Sequence, residues 1–431
     1  MRSSSHHDVS PPAPAHRWVV FGVICLVYFF VYFHRVSTSV IVTDLLAAFG
    51  TSATALSFMS SMYFYLYAFE QPVVGYLSDR LGPRRVIGWW SMIAAAGCFI
   101  FAAAPSVAIA TLGRGLIGIG VGGVYVPALK ALALWFRPRE FAGMLGMLMS
   151  VGNLGAVIAT TPLAWAAAAW GWRSSFVLIG GITLALAVVT LLKTRDHAST
   201  AQAAAPGAAE RRPDGKGVWN DVGQVLAAGQ FWISSLIFFG CYGTLVTLQG
   251  LWATPFLMTA LQLGPIAASK LNMLIPIGVI IGSPLLGWLS GRYGVDKRRL
   301  LIAILGGYTL SWAGLIFLYA ALGAAGLGIL QLVMGILAGG FITIFWAIVR
   351  ESTPARLMGL TSGLLNPSPF LGVAAFQVLT GAILDRAGKV GDLYPLSGFR
   401  NAFLVCLAVN AVCLGLAFLL LKKRAAENTV Q

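Results

Sequence analysis

Twelve apolar segments follow one another along the chain, each long enough to cross a membrane. In lipid every backbone N–H and C=O must find a partner inside the protein, so uninterrupted apolar stretches of this length fold as helices. With 58% hydrophobic and 10% charged residues, the chain has too little polar surface to cover a water-soluble body of this size. The expected fold is an all-α polytopic membrane protein. The first span is expected at about 18–46, the fourth at 107–136, the fifth at 140–167, the seventh at 226–262 and the eleventh at 356–386.

The segments repeat. Gly75-Tyr-Leu-Ser-Asp79-Arg80-Leu-Gly82-Pro-Arg84-Arg85 follows the second span of the first half. Gly287-Trp-Leu-Ser-Gly291-Arg292-Tyr-Gly294 follows the second span of the second half, with Lys297-Arg298-Arg299 just after. Upstream, Pro72 and Pro284 stand in equivalent places. Two matching six-helix halves imply a pseudo-two-fold axis along the membrane normal and a substrate site near mid-depth between them. The expected organisation is a tail at 1–17, a bundle at 18–193, a linker at 194–225, a second bundle at 226–423 and a tail at 424–431. The linker is rich in Ala, Pro and charge and shows no apolar periodicity.

The net charge of +15 is concentrated in tails and in alternate loops. By the positive-inside rule this places both termini in the cytoplasm and the protein in the inner membrane, with anionic lipid as the partner of the basic loops. No groove-reading motif accompanies the charge, so nucleic acid is not an expected partner. The five cysteines all fall inside spans and none forms a CxxC pair; disulfides and metal ligation are not expected. Residues 1–17 lead straight into a full-length span and do not read as a cleavable signal peptide.

The Asp79 loop resembles the signature between helices 2 and 3 of the major facilitator superfamily, and Arg114-x-x-x-Gly118-x-Gly120 is similar to that family's helix-4 motif. The resemblance covers nearly the whole chain. It implies alternating access between inward- and outward-open states, with Gly75, Asp79, Arg80, Gly82, Arg84 and Arg85 forming a conformational gate. The second-half copy has Gly291 in place of Asp79, so only the first can latch through an acid.

Charges inside the membrane are costly and therefore mark candidate sites. Arg35 lies near the middle of the expected first span; helical spacing puts Tyr28, Tyr32, Arg35 and Ser39 on one face. A guanidinium stays protonated and offers a planar fork of donors to a carboxylate or phosphate. The position resembles the helix-1 arginine of the family's organic-anion carriers. Its phosphate carriers also have a helix-7 arginine, which span seven lacks, and this favours a carboxylate. Glu70, in span two, reads either as a proton carrier or as the ionic partner of Arg35, and distance decides between them. Arg114 is linked by resemblance to coupling or to helix packing. Lys130 reads as snorkelling to the interface or lining the inner path. His34 points off the Arg35 face. Gln249, Asn366 and Trp346 bring polar and aromatic groups from the second half towards Arg35.

No nucleophile–base pair, metal cluster or phosphate-cradling loop is present in the sequence, so an enzyme or an ATP-driven pump is not expected. The reading is a monomeric secondary transporter of a small organic anion, a carboxylate, coupled to protons or to exchange, with no cofactor. The substrate set is Arg35, Tyr32, Tyr28, Gln249, Asn366 and Trp346; the coupling set is Glu70 and Arg114. Alternatives are a proton-driven exporter of amphipathic cations, a carrier of zwitterions held between Arg35 and Glu70, and a transporter-like sensor.

Overall fold

The computed structural model describes residues 16–196, 215–293, 295–354, 357–389 and 393–428. The expected tail at 1–17 and the middle of the linker lie largely outside these residues, as does Gly294 of the second signature copy. Among the described residues the secondary structure is helical, and no strand is present.

Ten helices are long and apolar enough to span a membrane, and twelve if each bent pair counts as one span. In chain order they are α1 (His16–Val40), α2 (Ala53–Leu81), α3 (Pro83–Ala103), α4 (Val107–Trp135), α5 (Pro138–Ile158 and Thr161–Trp170) and α6 (Trp172–Lys193). The second six are α7 (Gly229–Leu261), α8 (Pro265–Tyr293), α9 (Lys297–Phe317), α10 (Tyr319–Ser352), α11 (Met358–Ala387) and α12 (Leu396–Asn428). The perimeter is apolar: Leu310, Phe69 and Trp165 are 72, 70 and 69% exposed, as lipid-facing side chains must be.

Most interruptions in these helices coincide with proline, which lacks the N–H that would close the preceding turn and clashes with the carbonyl four residues back. α4 breaks at Gly123–Val124, ahead of Pro127. α5 bends at Ala159–Thr160, ahead of Pro162, and α11 breaks at Asn366, ahead of Pro367 and Pro369. In α7 a π-turn at Leu248–Trp252 precedes Pro255.

Two expectations on boundaries are corrected. The first span does not continue to 46: α1 tightens to a 3-10 turn at Ser37–Val40, where Ser37 Oγ donates to the His34 carbonyl at 3.2 Å. The chain then enters a short helix, Val42–Phe49, bent 119° from α2. In the linker, an amphipathic helix occupies Gly215–Ala227. Its Val225 is buried; the segment carries an apolar face, contrary to the aperiodic linker expected there.

Small residues set the tightest contacts. A Cβ on Gly278 or Gly282 of α8 would stand 2.3 or 2.0 Å from the carbonyl oxygens of Leu332 and Ile336 on α10, so these backbones touch.

The halves meet along α1–α7, α2–α11 and α5–α8. Their polar ties concentrate at the end of the bundle remote from the Asp79 signature. There Ser39 and Thr254 share a hydrogen bond of 3.1 Å, Asn272 Nδ2 donates to Ser39 at 3.1 Å, and Ser269 donates to Thr161 at 3.3 Å. At the tip, Asp385 at the end of α11 accepts from the first backbone N–H groups of α2. Ala53 N donates to Oδ1 at 2.7 Å and Thr54 N to Oδ2 at 2.8 Å. Tyr394 donates to Asp385 at 2.9 Å and accepts from Ala53 N at 2.8 Å, while Lys389 reaches the Thr51 carbonyl at 2.9 Å. At the signature end, three ion pairs lie within one half each: Arg17–Glu140 at 3.4 Å, Lys130–Asp79 at 2.9 Å, and Lys297–Glu351.

Candidate functional site

Arg35 sits five residues before the end of α1, nearer the remote end than the sequence reading put it, because α1 stops at Val40. Side chains on a helix lean back towards its N-terminus. The guanidinium accordingly lies level with Tyr67 and Tyr242, each near the middle of its own helix. One terminal nitrogen donates to the Tyr242 hydroxyl at 2.8 Å, a bond that joins the two halves. The guanidinium carbon lies 4.4 Å from the Tyr32 ring centre, 5.3 Å from that of Phe370 and 5.9 Å from that of Tyr67. Arg35 is 5% exposed, and its Nε is buried with no hydrogen-bond partner. Among the described residues no carboxylate pairs with it within 4.0 Å.

The aromatic surroundings extend to both sides. Tyr28 packs on Tyr32 at 5.4 Å and stacks on Tyr125 at 5.8 Å, and its hydroxyl meets the Met149 sulfur at 3.6 Å. On the other side Tyr242 contacts Phe238 at 5.6 Å, and Phe238 contacts Trp346 at 5.8 Å. Tyr32, Tyr125, Tyr242 and Trp346 are only half-buried.

Of the expected substrate residues, Tyr28 and Tyr32 gather with Arg35, and Trp346 closes the aromatic series on the second half. Gln249 is buried in the π-turn of α7, where its carbonyl accepts from Asn272 at 3.1 Å; its side chain makes no hydrogen bond to Arg35. Asn366 stands at the break of α11, half-buried and likewise without a bond to Arg35. Phe370 and Tyr242, both against the guanidinium, are absent from the set expected from sequence. Tyr242 shares a helical face with Gln249 and could be found that way, whereas Phe370 leaves no local signal.

The ionic pair between Arg35 and Glu70 does not form. Glu70 accepts from Trp90 Nε1 at 3.0 Å, its other oxygen is buried without a partner, and it presses on Gly122 at the break of α4. It thus faces α3 and α4 inside the first half. Arg114 is fully buried; both terminal nitrogens donate to the His34 carbonyl at 3.2 Å, and the guanidinium lies 5.2 Å from the Tyr63 ring centre. His34 turns away from Arg35 towards Cys98, 3.8 Å from its sulfur.

In the signature loop, Lys130 holds both the Ser78 carbonyl and the Asp79 carboxylate at 2.9 Å, so this lysine belongs to the loop's own network. Gly82 has φ +82°, a conformation that a side chain would strain, and it lets α2 turn directly into α3. Asp196 caps α3 by accepting from Arg84 N at 2.9 Å, and the Arg84 side chain donates to the Leu191 carbonyl at 2.8 Å. Arg80 packs over Tyr76 at 4.8 Å; Gly75 is half-buried, and Arg85 is exposed.

The chain belongs to the Major Facilitator Superfamily, whose family pattern matches residues 24–377 and, in a second match, 254–431. It is therefore a multi-pass integral membrane protein of a transporter family, not an enzyme. It is 23% identical to the probable sulfoacetate transporter SauU of Cupriavidus necator over 89% of this chain and 90% of that one. It is 24% identical to the hexuronate transporter of Escherichia coli, covering 86% of this chain and 88% of the relative. Among solved structures, a bacterial homolog of the human lysosomal transporter Spinster, inward-facing and unoccupied, superposes with TM-score 0.74 at 17% identity. That match covers 95% of this chain and 97% of the other. A D-xylose–proton symporter superposes with TM-score 0.70 at 13% identity, covering 92% of this chain and 97% of the other.

Proposed function

We propose that this protein is a secondary transporter that carries a small organic anion, a carboxylate, across the inner membrane by alternating access. One observation carries the reading. Arg35 is buried at mid-depth, permanently charged, and paired with no carboxylate among the described residues. A charge placed so deep costs several kcal/mol, of order, unless it is compensated, and an anionic substrate supplies the compensation. The relatives that move sulfoacetate and hexuronate support the same class of cargo.

Both termini lie in the cytoplasm, the bundles span 18–193 and 226–423, and the signature end faces inward. The conformer described here, tied together at the end remote from the signature, is then inward-facing. Tyr32 and Tyr28 flank the bound anion, Trp346 and Asn366 line its way to the cytoplasm, and Gln249 closes the site on the outer side. Protons enter through Glu70, at mid-depth in α2 beside the break of α4, and Arg114 fixes α4 against α1 at His34.

The test is ligand-dependent thermal stabilisation of the purified protein. A bound anion at a hundred times its dissociation constant adds about 2.7 kcal/mol. Carboxylates should stabilise the wild type and fail to stabilise Arg35→Gln. Stabilisation by cations alone, indifferent to Arg35, refutes the reading and favours an exporter of cations. Recovery of transport in Arg35→Gln/Glu70→Gln would remove Arg35 as the essential anion site.

A further inference from the structure

We infer that the cargo is a monoanion carrying one carboxylate on an aromatic body, which the site prefers to doubly charged acids. This rests on Arg35 being the anion site and adds the nature of the rest of the ligand.

The first support is charge. Among the described residues Arg35 is the cation whose guanidinium meets the aromatic rings of both halves. Arg114 is fully buried and spends both terminal nitrogens on the His34 carbonyl, and Lys130 is bound to Asp79. A single guanidinium neutralises one negative charge; a dianion would leave its second charge desolvated.

The second is the balance of donors and acceptors. Around Arg35 the polar groups are the guanidinium, with its unpartnered Nε, and phenol hydroxyls. Neither Gln249 nor Asn366 hydrogen-bonds to Arg35, and Glu70 is turned to Trp90. The guanidinium only donates and carboxylate oxygens only accept, so the two match, while the phenol hydroxyls can do either.

The third is shape. Tyr32 and Phe370 stand on the guanidinium at 4.4 and 5.3 Å, and the half-buried rings of Tyr32, Tyr125, Tyr242 and Trp346 continue away from it on both halves. Rings with uncovered faces suit offset or edge contacts with a flat apolar body.

The experiment ranks phenylacetate, benzoate, glucuronate and glucarate by thermal stabilisation and by uptake into proteoliposomes. Glucuronate has the same charge as phenylacetate and isolates the body; glucarate adds the second charge. Phenylacetate is expected to bind at least tenfold tighter than glucuronate, with benzoate ahead of glucarate. Tyr32→Leu should weaken phenylacetate tenfold or more, and by a larger factor than it weakens glucuronate. A wild-type preference for glucuronate or glucarate that is lost in Arg35→Gln overturns this inference and leaves the anion-carrier reading standing. If no anion binds, or binding ignores both Arg35→Gln and Arg35→Lys, both fall. The wild-type ranking holds even if a variant does not fold.

Discussion

Asp385 is the polar clamp between the halves at the end remote from the signature, and its neutralisation should shift the resting conformer. Its carboxylate accepts from Ala53 N at 2.7 Å, Thr54 N at 2.8 Å and Tyr394 at 2.9 Å. The two N–H groups open α2, so the carboxylate also meets the positive end of that helix's dipole. To open this end the halves must part, and the bonds that Ala53 N and Thr54 N give to Asp385, with the one Ala53 N gives to Tyr394, must break, while Tyr394–Asp385 stays within the second half. Asp385→Asn keeps one acceptor oxygen and turns an NH2 group towards a backbone donor. A charged hydrogen bond contributes about 1.5–3 kcal/mol, and Asp385 is only half-buried, so the net loss is set at about 1–2 kcal/mol. That corresponds to a rise of about 5- to 30-fold in the population open at this end.

Ser57 gives the readout. It is fully buried against Gly381, whose Cβ position lies 2.3 Å from Ser57 Oγ, so it becomes reachable only when α2 and α11 separate. The five native cysteines are buried and leave a low background. In Ser57→Cys, labelling by a membrane-impermeant thiol reagent from the outside should accelerate about 5- to 30-fold on adding Asp385→Asn, in proportion to the open population. Tyr394→Phe should act in the same direction with a smaller factor. Labelling unchanged within twofold in Asp385→Asn would falsify the clamp.

Four further outcomes are expected. Glu70→Gln should leave anion affinity within about threefold, because Glu70 contacts Trp90 and not Arg35; uptake driven by a proton gradient should fail while anion exchange persists. Trp90→Phe removes the donor to a half-buried carboxyl and should cost about 1–3 kcal/mol, seen as a lower melting temperature and largely absent when combined with Glu70→Gln. Gly278→Ala places a methyl 2.3 Å from the Leu332 carbonyl, and Gly282→Ala one 2.0 Å from that of Ile336. Each should cost about 1–3 kcal/mol of stability in detergent, whereas Gly291→Ala, with open space at its Cβ, should be neutral. Arg114→Lys cannot donate two bonds to the His34 carbonyl in one plane and should lower the melting temperature without altering which anions bind.

The spans and the repeat are legible in the sequence because lipid imposes one rule on every segment: long apolar stretches must be helices. The breaks within them are legible after the fact from Pro127, Pro162, Pro255 and Pro367, but which turn opens depends on what packs beside it. Gly123 yields next to Trp90, while Pro72 stays inside an unbroken α2. Arg35, Tyr32 and Tyr28 could be read as a set because they lie on one helix, where spacing fixes who shares a face. Tyr242 can be read only as a neighbour of Gln249 on one face of α7, and Phe370 not at all, since their approach to Arg35 depends on how two halves dock, and no local pattern records that. The same holds for the partners of charge. Lys130 for Asp79 and Trp90 for Glu70 lie on other helices, and Asp196, for the start of α3, follows the end of α6.

That difference bears on how binding and movement are linked in this chain. The guanidinium of Arg35 belongs to the first half, yet its closest hydrogen bond is to Tyr242 of the second, and Phe370 of the second half covers one of its faces. An empty site therefore ties the halves through Arg35 itself. A carboxylate that spreads from the unpartnered edge of Arg35 onto the terminal nitrogen held by Tyr242 displaces that hydroxyl and binds more strongly, since its charge matches that of the guanidinium. Substrate thus exchanges a protein–protein tie at mid-depth for two protein–ligand ties, while the clamp at Asp385 is untouched. The free-energy difference between inward- and outward-facing forms then depends on occupancy only through residues that contact both halves. Tyr242→Phe isolates that term. It should tighten anion binding, because no competing bond is lost, and it should reduce the difference in Ser57→Cys labelling between the empty and occupied protein. Unchanged affinity together with an unchanged labelling difference in Tyr242→Phe would show that the mid-depth tie plays no part in coupling.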